Sequence, residues 1–181
     1  GSYYKDKHLG IFGEYGMISF NGNKIVTTGG GGAILTNNKE IYLKLLKLIT
    51  VNKEKHEFEY FYKSIGFNYK MPSINASLGL GQLNRIKQTI QKKRKIFMVY
   101  EKIFKNFKGV KILKEPINCK SNYWLNTIIL DKEYVKYKNK IIKKLIYNNF
   151  LCRPLWFPLH LSPHFKKSPR DKLDTTIDLY N

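Results

Sequence analysis

A lysine in small, uncharged surroundings is the first candidate for chemistry in this chain. Lys24 lies in the stretch SFNGNKIVTTGGGG, after the turn dipeptide Asn21-Gly22 and before four consecutive glycines. No carboxylate occurs within four residues of it on either side. A lysine amine reacts as a nucleophile only in its neutral form, which burial and the lack of a neighbouring anion favour. We therefore expect Lys24 to carry an uncharged, reactive amine.

A second polar group, Ser19, lies five residues before Lys24 at the predicted end of a strand. A hydroxyl donor beside a reactive amine suits a ligand that carries both a phosphate and an aldehyde, as pyridoxal phosphate does. A solvated lysine on a flexible hairpin tip remains the alternative. The glycines do not match a nucleotide-phosphate loop, because the lysine precedes them instead of following them.

The hydrophobic pattern around Lys24 predicts a hairpin-like unit followed by a helix. Short apolar or β-branched runs at 16–20, 25–28 and 33–36 predict strands, with Lys24 at the bend between the first two. Asparagines then precede an amphipathic segment at 39–49, which predicts a capped helix.

Later segments predict further helices and one strong strand. In order, the pattern predicts a helix over 73–107 that bends near 88–92, a strand over 123–130, a helix over 133–149 and an extended proline-containing segment over 152–160. Ser73 is the expected cap of the long helix. The small residues early in that helix would allow a close approach to another backbone. This order indicates an α/β or α+β fold.

The charge balance allows two interpretations. The chain has 33 basic and 13 acidic residues, for a net charge of +20. Such a charge is typical of a nucleic-acid-binding module, but only four of the basic residues are arginines and no nucleic-acid-binding motif is present. We expect the lysines to form solvated helix faces, and we keep a basic nucleic-acid-binding module as the competing class.

Composition also bears on compartment and cofactors. No apolar run approaches the roughly 20 residues that span a bilayer, and no export signal opens the chain. The two cysteines, Cys119 and Cys152, lack metal-ligand spacing. We expect a cytoplasmic protein with reduced cysteines, no bound metal and no membrane partner.

Four segments together resemble one enzyme family. They are GEYGMISFNGNKIVTTGGGGAILTNN, GFNYKMPSINASLGLGQL, SNYWLNTIIL and CRPLWFPLH. In this order they resemble the DegT/DnrJ/EryC1/StrS sugar aminotransferases, closest to those that make 4-amino-4,6-dideoxy nucleotide sugars. A sugar dehydratase variant of the same fold would carry histidine in place of the lysine, and Lys24 argues against it.

The resemblance implies a fold and a domain division. It implies the C-terminal part of an aspartate aminotransferase-like, pyridoxal phosphate-dependent transferase fold of the α/β class. Residues 1–85 would end the large cofactor-binding domain, and residues 86–181 would form the linking helix and most of the small α+β domain. Only 23 residues precede Lys24, whereas the family places the carboxylate for the pyridine nitrogen and the stacking aromatic residue well before the lysine. We therefore expect a fragment, cut at both ends, that is inactive alone.

The resemblance also implies roles for individual residues. Lys24 would bind pyridoxal phosphate as a Schiff base and move the proton, and Ser19 would bind the phosphate. Asn68 would reach the phosphate held by the neighbouring subunit, which implies a homodimer with shared active sites. Three residues would lie on the substrate side: Arg153, Trp156 and His160. The reaction would move an amino group from glutamate to a nucleotide-linked 4-keto-6-deoxy sugar in cell-surface glycan biosynthesis.

Overall fold

The computed structural model describes residues 1–180 and combines helices with short antiparallel strands. The helices are α1 (Lys39–Ile49), α2 (Ser73–Asn84), α3 (Ile86–Phe104), α4 (Lys138–Tyr147) and α5 (Asp174–Tyr180). The strands are β1 (Tyr3–Tyr4), β2 (Lys7–His8), β3 (Tyr15–Ser19), β4 (Gly32–Thr36), β5 (Val110–Ile112), β6 (Cys119–Lys120) and β7 (Ile128–Leu130). Among these residues, no helix is both long and apolar enough to cross a bilayer.

The strands form three separate antiparallel groups. One sheet has the order β2-β1-β6, and the other two groups are the pairs β3-β4 and β5-β7. In the pair that bears on Lys24, the register runs from Tyr15 opposite Thr36 to Ser19 opposite Gly32. The connection between these two strands, residues 20–31, therefore carries Lys24; we call it the Lys24 connection.

The chain forms two compact units. The first comprises Gly1–Val99 with Lys114–Leu125, and the second comprises Tyr100–Leu113 with the residues from Asn126 onward. Buried apolar side chains of the first unit include Val26, Phe97 and Tyr123, and Ile112 is buried in the second. The predicted division near residue 85 concerns the domains of a whole enzyme and stays a prediction.

Helix α1 confirms its predicted bounds and cap. The side-chain oxygen of Asn38 accepts hydrogen bonds from the backbone N–H groups of Glu40 at 2.8 Å and Ile41 at 3.2 Å. These bonds satisfy two of the N–H groups that a helix leaves unpaired at its start. Helix α1 thus begins where a local signal places it.

The strand predicted at 25–28 is wrong. Residues 25–28 join no ladder, because β3 pairs directly with β4. The Phe20 carbonyl instead accepts two hydrogen bonds from this segment. Thr28 N and Thr27 Oγ1 donate them, each at 3.1 Å. Local hydrogen bonds thus replace the expected strand pairing.

The long helix is interrupted earlier than predicted. It ends at Asn84 and begins again at Ile86, so the break lies at Arg85 and not within 88–92. The predicted cap is also wrong: Pro72 occupies the cap position without a side-chain bond, and Ser73 is the first helical residue. Proline fixes the extended backbone before the helix without supplying a capping oxygen.

The second half of the chain is less regular than predicted. Of the strand predicted at 123–130, only Ile128–Leu130 forms a strand, and the first predicted residue, Tyr123, has a positive φ of 44° that strands do not adopt. The helix predicted at 133–149 splits into a 3₁₀ segment, Lys132–Tyr137, and α4. The segment predicted as extended over 152–160 forms no strand: residues 152–158 have no regular structure, and a 3₁₀ turn, Leu159–Leu161, follows. As its prolines predict, it is not helical throughout.

Candidate functional site

The Lys24 connection is a packed segment. Val26 is 7% exposed and Thr28 is 2% exposed, which places both among the most buried side chains of the first unit. Phe20 N donates to Gly31 O at 2.9 Å and closes the base of the connection next to the strand pair. A solvated hairpin tip would show neither burial nor this closure. The connection therefore holds the Lys24 backbone in a defined place.

Helix α2 lies against the glycine end of the Lys24 connection. Asn75 Nδ2 donates to the Thr28 carbonyl at 2.6 Å. A Cβ atom on Gly79 would lie 2.7 Å from Thr28 Cγ2, so only glycine permits the observed approach. Gly31 has a φ of +112°, which favours glycine, and the Met71 methyl group lies close to it. The close backbone approach expected of the small residues in this helix is confirmed.

The amine of Lys24 meets an aromatic ring. Lys24 is half-buried, and its Nζ lies 3.9 Å from the centroid of the Trp124 ring. Within residues 1–180, Lys24 forms no ion pair with a carboxylate. The Trp124 indole Nε1 donates to the backbone carbonyl of Asn23 at 2.6 Å, which ties the ring to the residue before the lysine.

Sequence reasoning missed Trp124. The sequence pattern predicts only that it lies in a strand, whereas its ring lies next to a lysine 100 residues earlier in the chain. No local pattern reports a contact between such distant residues. The available signals were indirect: Trp124 is one of two tryptophans, and it follows a Ser-Asn pair whose side chains can form local turns.

Ser19 occupies the predicted place at a strand end. It is the last residue of β3 and is exposed. Its Oγ accepts a hydrogen bond from Asn21 N at 3.3 Å, and in residues 1–180 it donates none. Ser19 therefore has a hydroxyl hydrogen available for a ligand. The turn that carries Lys24 begins two residues later, where Lys24 N donates to Asn21 O at 3.0 Å.

Asn68 lies in a different part of the first unit. Its segment runs beside the end of α1, where Phe67 N donates to Leu48 O at 2.7 Å and Tyr69 N donates to Ile49 O at 3.0 Å. The Asn68 side chain is exposed and has no hydrogen-bond partner in the described part of the chain. The backbone is thus anchored while the amide is presented to solvent.

The three residues predicted on the substrate side belong to the second unit. They follow α4 in the order Arg153, Trp156 and His160. Arg153 is exposed, Trp156 is 72% exposed and His160 is half-buried in a short 3₁₀ turn, Leu159–Leu161. Their place beside a sugar substrate stays a prediction.

A charged pair fixes the segment that carries Trp124. The Arg94 guanidinium of α3 binds both carboxylate oxygens of Glu115, at 2.7 and 2.9 Å, and also donates to the Ser121 carbonyl at 2.7 Å. Ser121 N donates to Glu115 Oε2 at 2.6 Å. A bidentate pair with two further backbone bonds has little freedom. It therefore holds residues 115–121 against α3.

The pair makes a pH-dependent contribution to stability. Hydrogen bonds from Arg94 lower the pKa of Glu115, and the Ser121 N–H acts in the same direction. Because the folded-state pKa lies below the unfolded one, the stabilisation is present above the ordinary glutamate pKa and is lost as the pH falls through the folded value.

We predict that Glu115→Gln lowers the free energy of unfolding by about 2 kcal/mol at neutral pH, since hydrogen bonds to charged groups contribute this much. The difference from the unsubstituted protein should shrink with acidification in urea unfolding. The exposed pair of Glu54 with Lys47 supplies the control, and Glu54→Gln should change the urea midpoint little. An equal loss at neutral and acidic pH would contradict the assignment.

Comparison with known proteins identifies the family. The model of the DegT/DnrJ/EryC1/StrS aminotransferase family matches residues 1–181. The chain belongs to this family. The family resemblance noted in the sequence is thereby confirmed, and the Lys24 connection lies inside the matched region.

Two curated relatives show what this chain is similar to. EpsN of Bacillus subtilis, named as a candidate pyridoxal phosphate-dependent aminotransferase, is 37% identical over 91% of this chain and 42% of its own length. The GDP-perosamine synthase of Escherichia coli O157:H7 is 34% identical over 92% of this chain and 44% of its own length. The chain thus spans less than half the length of these curated relatives.

A solved structure supports the fold. Helicobacter pylori PseC, an aminotransferase involved in pseudaminic acid biosynthesis, superposes with a TM-score of 0.89 and 28% identity, over 99% of this chain and 49% of PseC. The predicted partial α/β fold of the pyridoxal phosphate-dependent transferase type is confirmed. This chain therefore corresponds to about half of the PseC chain.

Proposed function

We propose that this chain belongs to a pyridoxal phosphate-dependent aminotransferase that acts on a nucleotide-linked sugar. The observation that carries the proposal is the position of Lys24: a half-buried amine without a carboxylate partner in the described residues, on a packed connection next to a serine hydroxyl. A member of an aminotransferase family with this arrangement has a lysine suited to covalent attachment of an aldehyde.

The residues present fit the cofactor. An aldehyde reacts with an amine in its neutral form, and Lys24 has no carboxylate partner in the described residues to favour the ammonium form. A phosphate needs hydrogen-bond donors, and the Ser19 hydroxyl has its hydrogen available at the start of the same connection. The donor set of an amine and a hydroxyl therefore suits the aldehyde and the phosphate of pyridoxal phosphate.

Lys24 has two roles in the proposed reaction. Its nitrogen would hold the cofactor covalently through the aldehyde carbon. Its amine would also carry the proton that moves during amino transfer. The cofactor, when bound, supplies a ring that withdraws negative charge from the reacting carbon. Ser19 would hold the phosphate and so keep the cofactor next to Lys24.

The substrates follow from the named relatives. GDP-perosamine synthases and a UDP-4-amino-4,6-dideoxy-N-acetyl-β-L-altrosamine transaminase are among them. We infer a nucleotide-linked 4-keto-6-deoxy sugar as the acceptor, glutamate as the donor and a role in cell-surface glycan biosynthesis. On the substrate side we place the residues that resemble the family segment: Arg153, Trp156 and His160.

The whole enzyme is a homodimer with shared sites in this proposal. Asn68 of one subunit would donate to the phosphate of the cofactor that Lys24 and Ser19 of the other subunit hold, which its exposed and unpaired amide would permit. Residues 1–85 belong to the large cofactor-binding domain and 86–181 to the linking helix and small domain. We infer that residues 1–181 alone are inactive, because the relatives are about twice as long.

A cofactor titration tests the proposal. Full-length protein mixed with pyridoxal phosphate should acquire a visible absorbance band of the lysine-bound cofactor. Glutamate should bleach the band and release one equivalent of 2-oxoglutarate, and a nucleotide-linked 4-keto-6-deoxy sugar should restore it. Absence of any band, together with binding to DNA or RNA that weakens steeply with salt, would favour the basic nucleic-acid-binding module instead.

A further inference from the structure

Trp124 lies where it can fix the position of the Lys24 amine. Its ring face lies 3.9 Å from Lys24 Nζ, and its indole N–H is bonded to Asn23 O at 2.6 Å. The first contact attracts an ammonium group. The second fixes the ring relative to the backbone from which the lysine side chain departs. Together they define one resting position for the amine at the end of a long, otherwise rotatable side chain.

The backbone beside Trp124 is held in an uncommon conformation. Tyr123 has a φ of +44°, in the left-handed region that bulky side chains rarely adopt. Surrounding structure has to maintain such a residue, and such residues cluster at functional sites. Here the conformation turns the chain so that Tyr123 faces α3 while the next residue faces Lys24.

Several contacts maintain that conformation. The Tyr123 ring stacks on Phe97 with centroids 3.8 Å apart, and its hydroxyl accepts a hydrogen bond from Glu115 N at 3.2 Å. The backbone N–H groups of Tyr123 and Trp124 are bonded to the side chains of Ser121 and Asn122, each at 3.0 Å. The position of Trp124 is thus set by a rigid base that includes the pair of Arg94 and Glu115.

We propose that Trp124 is a positioning residue that holds the Lys24 side chain, as its ammonium form, in place whenever the lysine is not bonded to the cofactor. The proposal rests on the proposed role of Lys24. In the proposed reaction, the lysine would be displaced once per full cycle, stay free until the acceptor has taken the amino group, and then return to one carbon. The Trp124 ring restricts the Lys24 side chain to a small region near the Lys24 backbone. This restriction raises the rate at which the lysine returns to the cofactor carbon.

Two rates measured on the full-length apoprotein test this inference. One is acetylation of Lys24 by acetic anhydride, followed by mass spectrometry, and the other is covalent attachment of pyridoxal phosphate. Both require the neutral amine, so any change in protonation cancels in the ratio of attachment to acetylation. Trp124→Leu should lower this ratio about twofold or more, because attachment to the bound aldehyde loses a positioned lysine whereas acetylation by a reagent in solution does not need one. A ratio that is unchanged or raised would overturn the proposal.

A matched lysine provides the control. Lys53 Nζ also lies 3.9 Å from an aromatic centroid, that of the exposed Tyr60. Tyr60→Leu should raise acetylation of Lys53 and leave the ratio for Lys24 unchanged. A general loss of structure in Trp124→Leu would also lower the ratio for Lys24, so the test counts only if circular dichroism shows that the variant keeps its fold.

Two further measurements keep the proposal falsifiable. If Trp124→Leu does not fold, Trp124→Phe keeps a ring but loses the bond to Asn23, and the ratio should still fall about twofold. If pyridoxal phosphate does not attach even to the unsubstituted protein, the proposed function fails. In that case Lys24→Met should still shift the indole N–H resonance of Trp124 in the NMR spectrum, and an unshifted resonance would refute the contact itself.

Discussion

Replacing Lys24 with alanine should slow amino transfer from glutamate at least about a thousandfold, because the proton then has no positioned group to carry it. The same change should abolish the visible band of the bound cofactor, since no other amine lies on the Lys24 connection. Release of 2-oxoglutarate by the full-length protein measures the first effect, and an absorbance scan measures the second. The two losses should occur together.

The fold should survive this substitution. Lys24 forms no ion pair in the described residues, and its amine contact with Trp124 corresponds to about 1 kcal/mol. Lys53→Ala is the matched control, because that lysine lies over Tyr60 at the same distance and should leave the rate unchanged. If Lys24→Ala keeps more than about a tenth of the rate, another residue moves the proton and the proposed role is wrong.

Elements governed by local signals could be predicted from the sequence. Asn38 lies directly before an apolar stripe of helical period, and α1 begins at Lys39 and ends at Ile49 as predicted. Ser19 likewise ends β3, because the turn dipeptide that follows stops the strand. In both places the hydrogen bonds that define the element lie within a few residues, so neighbouring residue types determine the outcome.

Elements governed by distant contacts could not be predicted. Residues 25–28 are β-branched and favour an extended ladder, yet Val26 and Thr28 are buried in a connection that joins no ladder, and Thr28 lies against α2. Tyr123 reads as part of a strand, but its stack on Phe97 and its bond to Glu115 hold it at a positive φ. The contact of Trp124 with Lys24 depends on that turn, so no local sequence pattern predicts the contact.

The candidate site shows the same division. Lys24 and Ser19 share one motif and could be found together, and the family match supports the significance of that motif. Asn68 was found only through the resemblance, because an exposed asparagine beside the end of α1 has no local feature that distinguishes it from a turn residue. Its role therefore needs an experiment of its own.

Asn68 should act on the site of the other subunit, and a hybrid dimer should reveal this. Asn68→Ala alone should weaken cofactor binding about 10- to 100-fold, the effect of losing one hydrogen bond to a charged group. Lys24→Ala alone should be inactive. At limiting pyridoxal phosphate, both symmetric variants should therefore show little amino transfer.

The hybrid of these two variants should regain activity. In a symmetric dimer with shared sites, one of its two sites combines the intact Lys24 of one subunit with the intact Asn68 of the other. Co-expression with two different affinity tags isolates this hybrid, which should reach about half the rate of the unsubstituted dimer. If Asn68 instead acted within its own subunit, neither site of the hybrid would be complete, and its rate would stay at the mean of the two symmetric variants. Recovery therefore depends on the exposed amide crossing between subunits, because no other arrangement of the two substitutions leaves a complete site.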